Sequence, residues 1–222
     1  MKKIRWMILL LVLALVSTVF LISGVRHDEH LALDEDLNQL VLSLFPEASV
    51  SFFNVVTELG DTIGIGIVAL MMVIWLGFKK RDLIGIVILL LAVALGNEMS
   101  KWLKEVVGRE RPVTAELAET LSFPSGHAMV SFILYFISAT FLISHFKSVK
   151  FKWGTGIMAF MMVTLIGLSR IVLQDHYPTD VLGGYTIGLI WSLLWLVIYF
   201  VFSSNMKNRQ MKKGSKSLPL NQ

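Results

Sequence analysis

The chain has 222 residues, 55% of them hydrophobic, and a mean hydropathy of +0.70. A soluble domain this apolar would have too little polar surface to stay dissolved. The formal net charge is +4, and there is no cysteine, which excludes disulfides, thiol nucleophiles and cysteine metal sites.

The apolar residues come in six blocks, roughly 7–23, 62–78, 83–100, 128–144, 154–173 and 181–202. Each is about long enough to cross a bilayer. The expected fold is therefore all-α, a polytopic bundle of six transmembrane helices forming one integral membrane domain over 1–204. The first block follows the basic start Met1-Lys2-Lys3-Ile4-Arg5. No small-residue cleavage site follows it, since Leu21-Ile22-Ser23-Gly24-Val25 comes next, so it reads as a retained helix rather than a signal peptide.

Sorting the connecting segments alternately puts the N-terminus, Lys79-Lys80-Arg81, Lys147, Lys150, Lys152 and the tail on one side. That side holds most of the 20 lysines and arginines and a single acid, Asp82. Basic loops stay cytoplasmic, so both termini are expected inside a bacterial cytoplasmic membrane, with 24–61, 101–127 and 174–180 outside. The tail, 205–222, is polar and basic without an apolar face; it is expected to be disordered and to touch lipid headgroups rather than nucleic acid.

The outer segment 24–61 opens with Asp28, Glu29, Asp34, Glu35 and Asp36. Leu37, Leu40, Val41, Leu44 and Phe45 then follow at helical spacing. This reads as an amphipathic helix lying on the membrane surface, with a lid or lipid-entry wall as the functional alternative. His27 and His30 read as parts of a solvated linker, not as metal ligands.

Ionisable groups in spans cost about 2.5–3.5 kcal/mol each on insertion scales, so they usually mark function. Here they gather at the outer ends of spans three to six. In GNEMSKWLKEVVGRERP, Asn97, Glu98, Lys101, Lys104, Glu105 and Gly108 share one helical face. Glu98, Lys101 and Glu105 read as ordinary solvated pairs. Lys104 and Arg111 are two turns apart and point the same way, and Pro112 predicts that the helix ends near Arg111. In LSFPSGHAMV, Pro124 and Ser125 precede a helix running from about Gly126. Its N-terminus exposes amides to an anion, with His127 in the first turn. In SRIVLQDHYPTD, Arg170 ends span five and Pro178 starts span six. Asp180, four residues after His176, can accept a hydrogen bond from one ring nitrogen and leave the other as base or nucleophile.

Lys104-x6-Arg111-Pro112, Pro124-Ser125-Gly126-His127 and Ser169-Arg170-x5-His176-x3-Asp180 together resemble the three-part motif of the phosphatidic acid phosphatase type 2 family, which shares its site with vanadium-dependent haloperoxidases. The resemblance implies a metal-independent lipid phosphatase with no cofactor. By carry-over, His176 resembles the nucleophile that forms a phosphohistidine, Asp180 its orienting partner, and His127 the acid at the leaving oxygen. Lys104, Arg111, Ser125, Gly126 and Arg170 resemble the phosphate cradle. The expected substrate is a membrane lipid phosphate, first undecaprenyl pyrophosphate, then phosphatidylglycerol phosphate or phosphatidic acid. Phosphotransfer to a hydroxyl, a transporter and an inactive scaffold are the rival readings.

Overall fold

The computed structural model of the chain describes residues 2–27, 32–112, 115 and 120–216, and no strand occurs among them. Its helices are α1 (Lys2–His27), α2 (Ala32–Leu44), α3 (Val50–Glu58), α4 (Thr62–Ile74), α5 (Leu83–Val107), α6 (Gly126–His145), α7 (Val149–Val172) and α8 (Pro178–Lys216). His30, Asp28 and Glu29 lie outside the described residues.

Among the described residues, five helices are long and apolar enough to cross a membrane: Leu9–His27, Leu83–Val107, Gly126–His145, Val149–Val172 and Pro178–Ser204. The block expected at 62–78 is helical over that range, Thr62–Phe78, which is shorter than the five helices above, and its end loosens into a π-helical turn over Trp75–Lys80. α2 and the short helical run after it, Glu47–Glu58, are bent by 79° at Phe45-Pro46. Pro46 disfavours a helical Phe45, so the helix breaks there; counted as one broken span, the pair would bring the number to six.

α6 is the hub and packs on α5, α7 and α8. Its Ile133, Leu134, Ile137 and Phe141 are fully buried against Leu89 and Ala92 of α5 and Leu196 and Tyr199 of α8. Lipid supplies no hydrophobic drive between helices, so close backbone approach matters. Gly184 provides it: a Cβ there would come within 2.8 Å of the Ser125 carbonyl. At the far end, Asp82 caps α5 by accepting from Gly85 N at 2.9 Å and also accepts from the Tyr199 hydroxyl at 2.6 Å, tying α8 to α5. The outward side chains remain apolar and exposed, among them Phe20, Ile63, Trp153 and Phe160.

Two expectations are corrected here. α5 ends at Val107, not near Arg111, because Gly108 adopts a left-handed conformation (φ 74°) and its N–H closes on the Lys104 carbonyl. The tail is helical as far as Lys216; residues 217–222 lie outside the described ones. In α2, Asp34 is buried, whereas Glu35, Asp36, Leu33, Leu40 and Leu44 are exposed.

Candidate active site

In the bundle α5 and α7 run opposite to α6 and α8, so two helix C-termini meet two N-termini at one end. That juxtaposition gathers Lys104, Arg111, Ser125, Gly126, His127, Arg170, His176 and Asp180, all eight residues singled out in the sequence. Glu98 and Lys101 stay out of it as an exposed pair at 2.7 Å.

His176 lies on the short link between α7 and α8 and is buried. Its Nδ1 is 3.4 Å from Asp180 Oδ2 and 3.3 Å from Ser122 Oγ. Asp180 Oδ2 also accepts from Ser122 Oγ and from Tyr177 N. A carboxylate facing Nδ1 favours the tautomer that protonates this nitrogen and leaves a lone pair on Nε2. Burial pushes the ring down to about 4, with Arg111 and Lys104 pushing the same way and Asp180 opposing. The ring is therefore neutral at physiological pH.

Three cations surround this ring. Lys104 Nζ donates to the Leu121 carbonyl at 3.0 Å, and Arg111 donates to the Asp175 carbonyl at 3.1 Å. Arg170 is held by Thr57 Oγ1 and by Asp175 Oδ2, each at 2.6 Å. Ser125 occupies the N-cap of α6 without capping it. Its Oγ is buried with no hydrogen-bond partner among the described residues, and so is Arg111 Nε. A buried hydroxyl and a buried guanidinium N–H left unpaired beside first-turn amides are donors awaiting an acceptor. Such a donor set suits a tetrahedral oxyanion.

His127, in the first turn of α6, faces a cavity of ≈ 880 Å³ between α3 and α7. Thr57, Glu58 and Asp61 line its polar side, and Phe45, Val50 and Leu173 its apolar side. His127 Nε2 is 3.9 Å from Asp61 Oδ1. The arrangement offers a neutral ring nitrogen, a cationic cradle and a second histidine at the mouth of a partly apolar cavity.

Sequence reasoning did not single out Arg109, Ser122, Thr57, Asp61 or Asp175, and it read Asp34 only as part of an acidic outer segment. Arg109 is the most deeply buried cation here, paired to Asp180 at 2.7 Å and to Asp34 at 2.6 Å. One signal for Asp34 was present. It stands on the stripe of Leu37 and Val41, and a charge on an apolar stripe needs a buried partner.

A family model described as the PAP2 superfamily matches residues 85–204. Phosphatidylglycerophosphatase B of Bacillus subtilis (strain 168) is 39% identical over 107 residues, 46% of this chain and 53% of that protein, so the match spans about half of that relative's length. Undecaprenyl-diphosphatase of Sulfolobus acidocaldarius is 26% identical over 199 residues, 84% of this chain and 87% of that one. Among solved structures, a transmembrane PAP2 type phosphatidylglycerolphosphate phosphatase from Bacillus subtilis superposes with a TM-score of 0.76 at 26% identity, covering 85% of this chain and 94% of that chain. Aquifex aeolicus LpxE gives 0.58 at 26% identity, covering 76% and 97%.

Proposed function

The chain belongs to the PAP2 superfamily, and from that premise we propose that it is a multi-pass membrane lipid phosphatase working through a phosphohistidine on His176. The observation that carries this reading is the buried His176–Asp180 pair facing three cations and the unpaired Ser125 hydroxyl.

His176 Nε2 attacks phosphorus as the bond from phosphorus to the lipid-side oxygen breaks. His127 gives its proton to that departing oxygen. The phosphorylated imidazolium keeps its Nδ1 proton against Asp180, whose carboxylate offsets the new positive charge. Water then attacks phosphorus, the P–N bond breaks, and His127 takes the proton from the water. Lys104, Arg111, Arg170, Ser125 and the Gly126 end of α6 meet the charge that spreads over the equatorial oxygens. The departing group lies in the cavity between α3 and α7. No metal takes part in this scheme.

The site faces outward in the proposed orientation, with six crossings and both termini in the cytoplasm. The basic residues at the opposite end of the bundle, Arg81, Lys147, Lys150 and Lys152, support it. An outward site suits recycling of a carrier lipid, so undecaprenyl pyrophosphate is the first substrate, and the relative from Sulfolobus, matched along most of the chain, favours it. Phosphatidylglycerol phosphate is the second, favoured by the solved structure from Bacillus.

Phosphate release from these two lipids and phosphatidic acid, by detergent-purified protein in EDTA, tests the reading. Release by the native chain and none by folded His176→Ala is expected. Equal release by the variant overturns the nucleophile, and loss of release in EDTA overturns metal independence.

A further inference from the structure

We propose that Arg109, clamped from behind by Asp34 of α2, is a positioning residue that fixes the carboxylate of Asp180 for His176. This inference rests on His176 being the nucleophile.

Arg109, Asp34 and Asp180 are all buried, with exposures of 1%, 3% and 0%. The guanidinium donates through NH1 to Asp180 Oδ1 at 2.7 Å and to Thr179 Oγ1 at 2.8 Å. Through NH2 it donates to Asp34 Oδ2 at 2.6 Å. Its plane lies over the Tyr177 ring, 4.0 Å from the centroid. Asp34 in turn accepts from Thr179 N and Thr179 Oγ1, each at 2.8 Å. Thr179 and Tyr177, which precede Asp180 in the chain, are thus held by the same network.

The consequence is geometric. A carboxylate bound through one oxygen only can rotate away from its histidine. With Oδ1 held by Arg109, Oδ2 is the oxygen presented to His176 Nδ1. The Arg109 carbonyl also accepts the Ser122 N–H at 2.7 Å, placing the serine whose hydroxyl bonds to that same Oδ2. One residue therefore sets both the carboxylate and its second ligand.

The consequence is also electrostatic. One guanidinium is shared by two carboxylates, so the group behind His176 carries one net negative charge. The other groups facing the ring are Lys104 of α5, Arg111 on the following link and His127 of α6. From α7, Arg170 contributes its carbonyl to the His176 N–H, and its guanidinium is paired with Asp175. Removing Arg109's charge makes Asp180 more attractive to a proton on the ring. Removing Asp34's charge leaves Arg109 less neutralised and does the opposite.

The test uses Arg109→Gln, Arg109→Lys and Asp34→Asn in the full chain, with rates normalised to the folded fraction. The readout is the pH dependence of kcat/KM for the best lipid substrate. The substrate's own titration is common to all variants, so only differences between variants are read. Arg109→Gln is expected to lower kcat by more than about tenfold with little change in KM, and to move the acid limb up by about one pH unit. Arg109→Lys should return the limb toward the native position, and Asp34→Asn should move it down. Unchanged limbs in all three, or shifts of the same sign in Arg109→Gln and Asp34→Asn, overturn the proposal. If Arg109→Gln does not fold, the sign of the Asp34→Asn shift decides it. His176→Ala, run beside them, separates the two failures: an active His176→Ala removes the nucleophile itself, whereas an inactive one with unmoved limbs removes only Arg109's role.

Discussion

Asp175 holds two cations of the cradle at once: its Oδ2 lies 2.6 Å from Arg170 and its backbone carbonyl accepts from Arg111 at 3.1 Å. Only the first contact depends on its charge. Asp175→Asn therefore keeps Arg111 in place and frees the Arg170 guanidinium from a competing carboxylate. Vanadate, a phosphate mimic, is expected to inhibit this variant about fivefold more tightly, the effect of ~1 kcal/mol for one unit charge at 4 Å. Inhibition constants measured at fixed ionic strength check it, and an unchanged constant removes Arg170 from the anion site.

The buried His176 ring makes stability depend on pH. Its folded value, about 4, is below the ordinary 6.5, so the unfolded chain takes up a proton first as the pH falls. The ring's contribution is fully present above 6.5 and is lost as the pH drops from there to about 4. Thermal unfolding midpoints in detergent should decline across that window, with a shallower decline in His176→Gln. A steeper or equal slope in the variant assigns the titration elsewhere.

His127 lines the cavity between α3 and α7, a position that suits the proposed proton donor to the departing oxygen. Folded His127→Ala should lose roughly 10²–10⁴ in kcat on a lipid phosphate. It should lose far less on an aryl phosphate, whose leaving group needs no proton. Asp61→Asn, next to Nε2, should shift the same ratio in the same direction and less. Comparing the two substrates in each variant checks the role.

Gly184 is where α8 touches the N-terminus of α6. The Cβ of Gly184→Ala would stand 2.8 Å from the Ser125 carbonyl and 3.0 Å from Met129 N, both backbone atoms that cannot step aside. A cost of about 1–3 kcal/mol is expected, together with a rise in KM as the cradle moves off Arg170. Unfolding midpoints and KM report the two effects separately.

The absence of native cysteine makes orientation directly measurable. Glu47→Cys, at the mouth of the cavity, should react with a membrane-impermeant maleimide in intact cells. Lys150→Cys, at the opposite end, should react only after permeabilisation. The reverse pattern would turn the site toward the cytoplasm.

The sequence pointed to the residues that gather at one end of the bundle and to little of what stands behind them. Lys104, His127 and Asp180 were visible because each sits in the first or last turn of a helix, and helix ends leave local signatures in proline, glycine and charge. Arg109 and Asp34 meet across 75 residues, and no periodicity links positions so far apart. α2 shows the same limit. Its leucines at helical spacing pointed to an amphipathic helix, but the spacing cannot say that the bundle supplies a buried arginine for Asp34. The second apolar block is helical over the range its hydropathy marked, but the loosening of the backbone from Trp75 left no signal in the sequence.

The Ser125 N–H donates to the Asp180 carbonyl at 3.0 Å. This single backbone bond ties the N-terminus of α6 to the carboxylate residue that faces His176. Because it involves no side chain, substitutions can alter either residue without cutting it. The cavity wall is built differently. Phe45, Val50, Glu58 and Asp61 come from a stretch that precedes residues 85–204, where the family resemblance lies. Val172, Leu173 and Gln174 of the matched stretch complete that wall, so the cavity is a seam between two parts of the chain. Exchanging the earlier residues alone would reshape the seam without replacing the helix ends that carry His127 and Asp180.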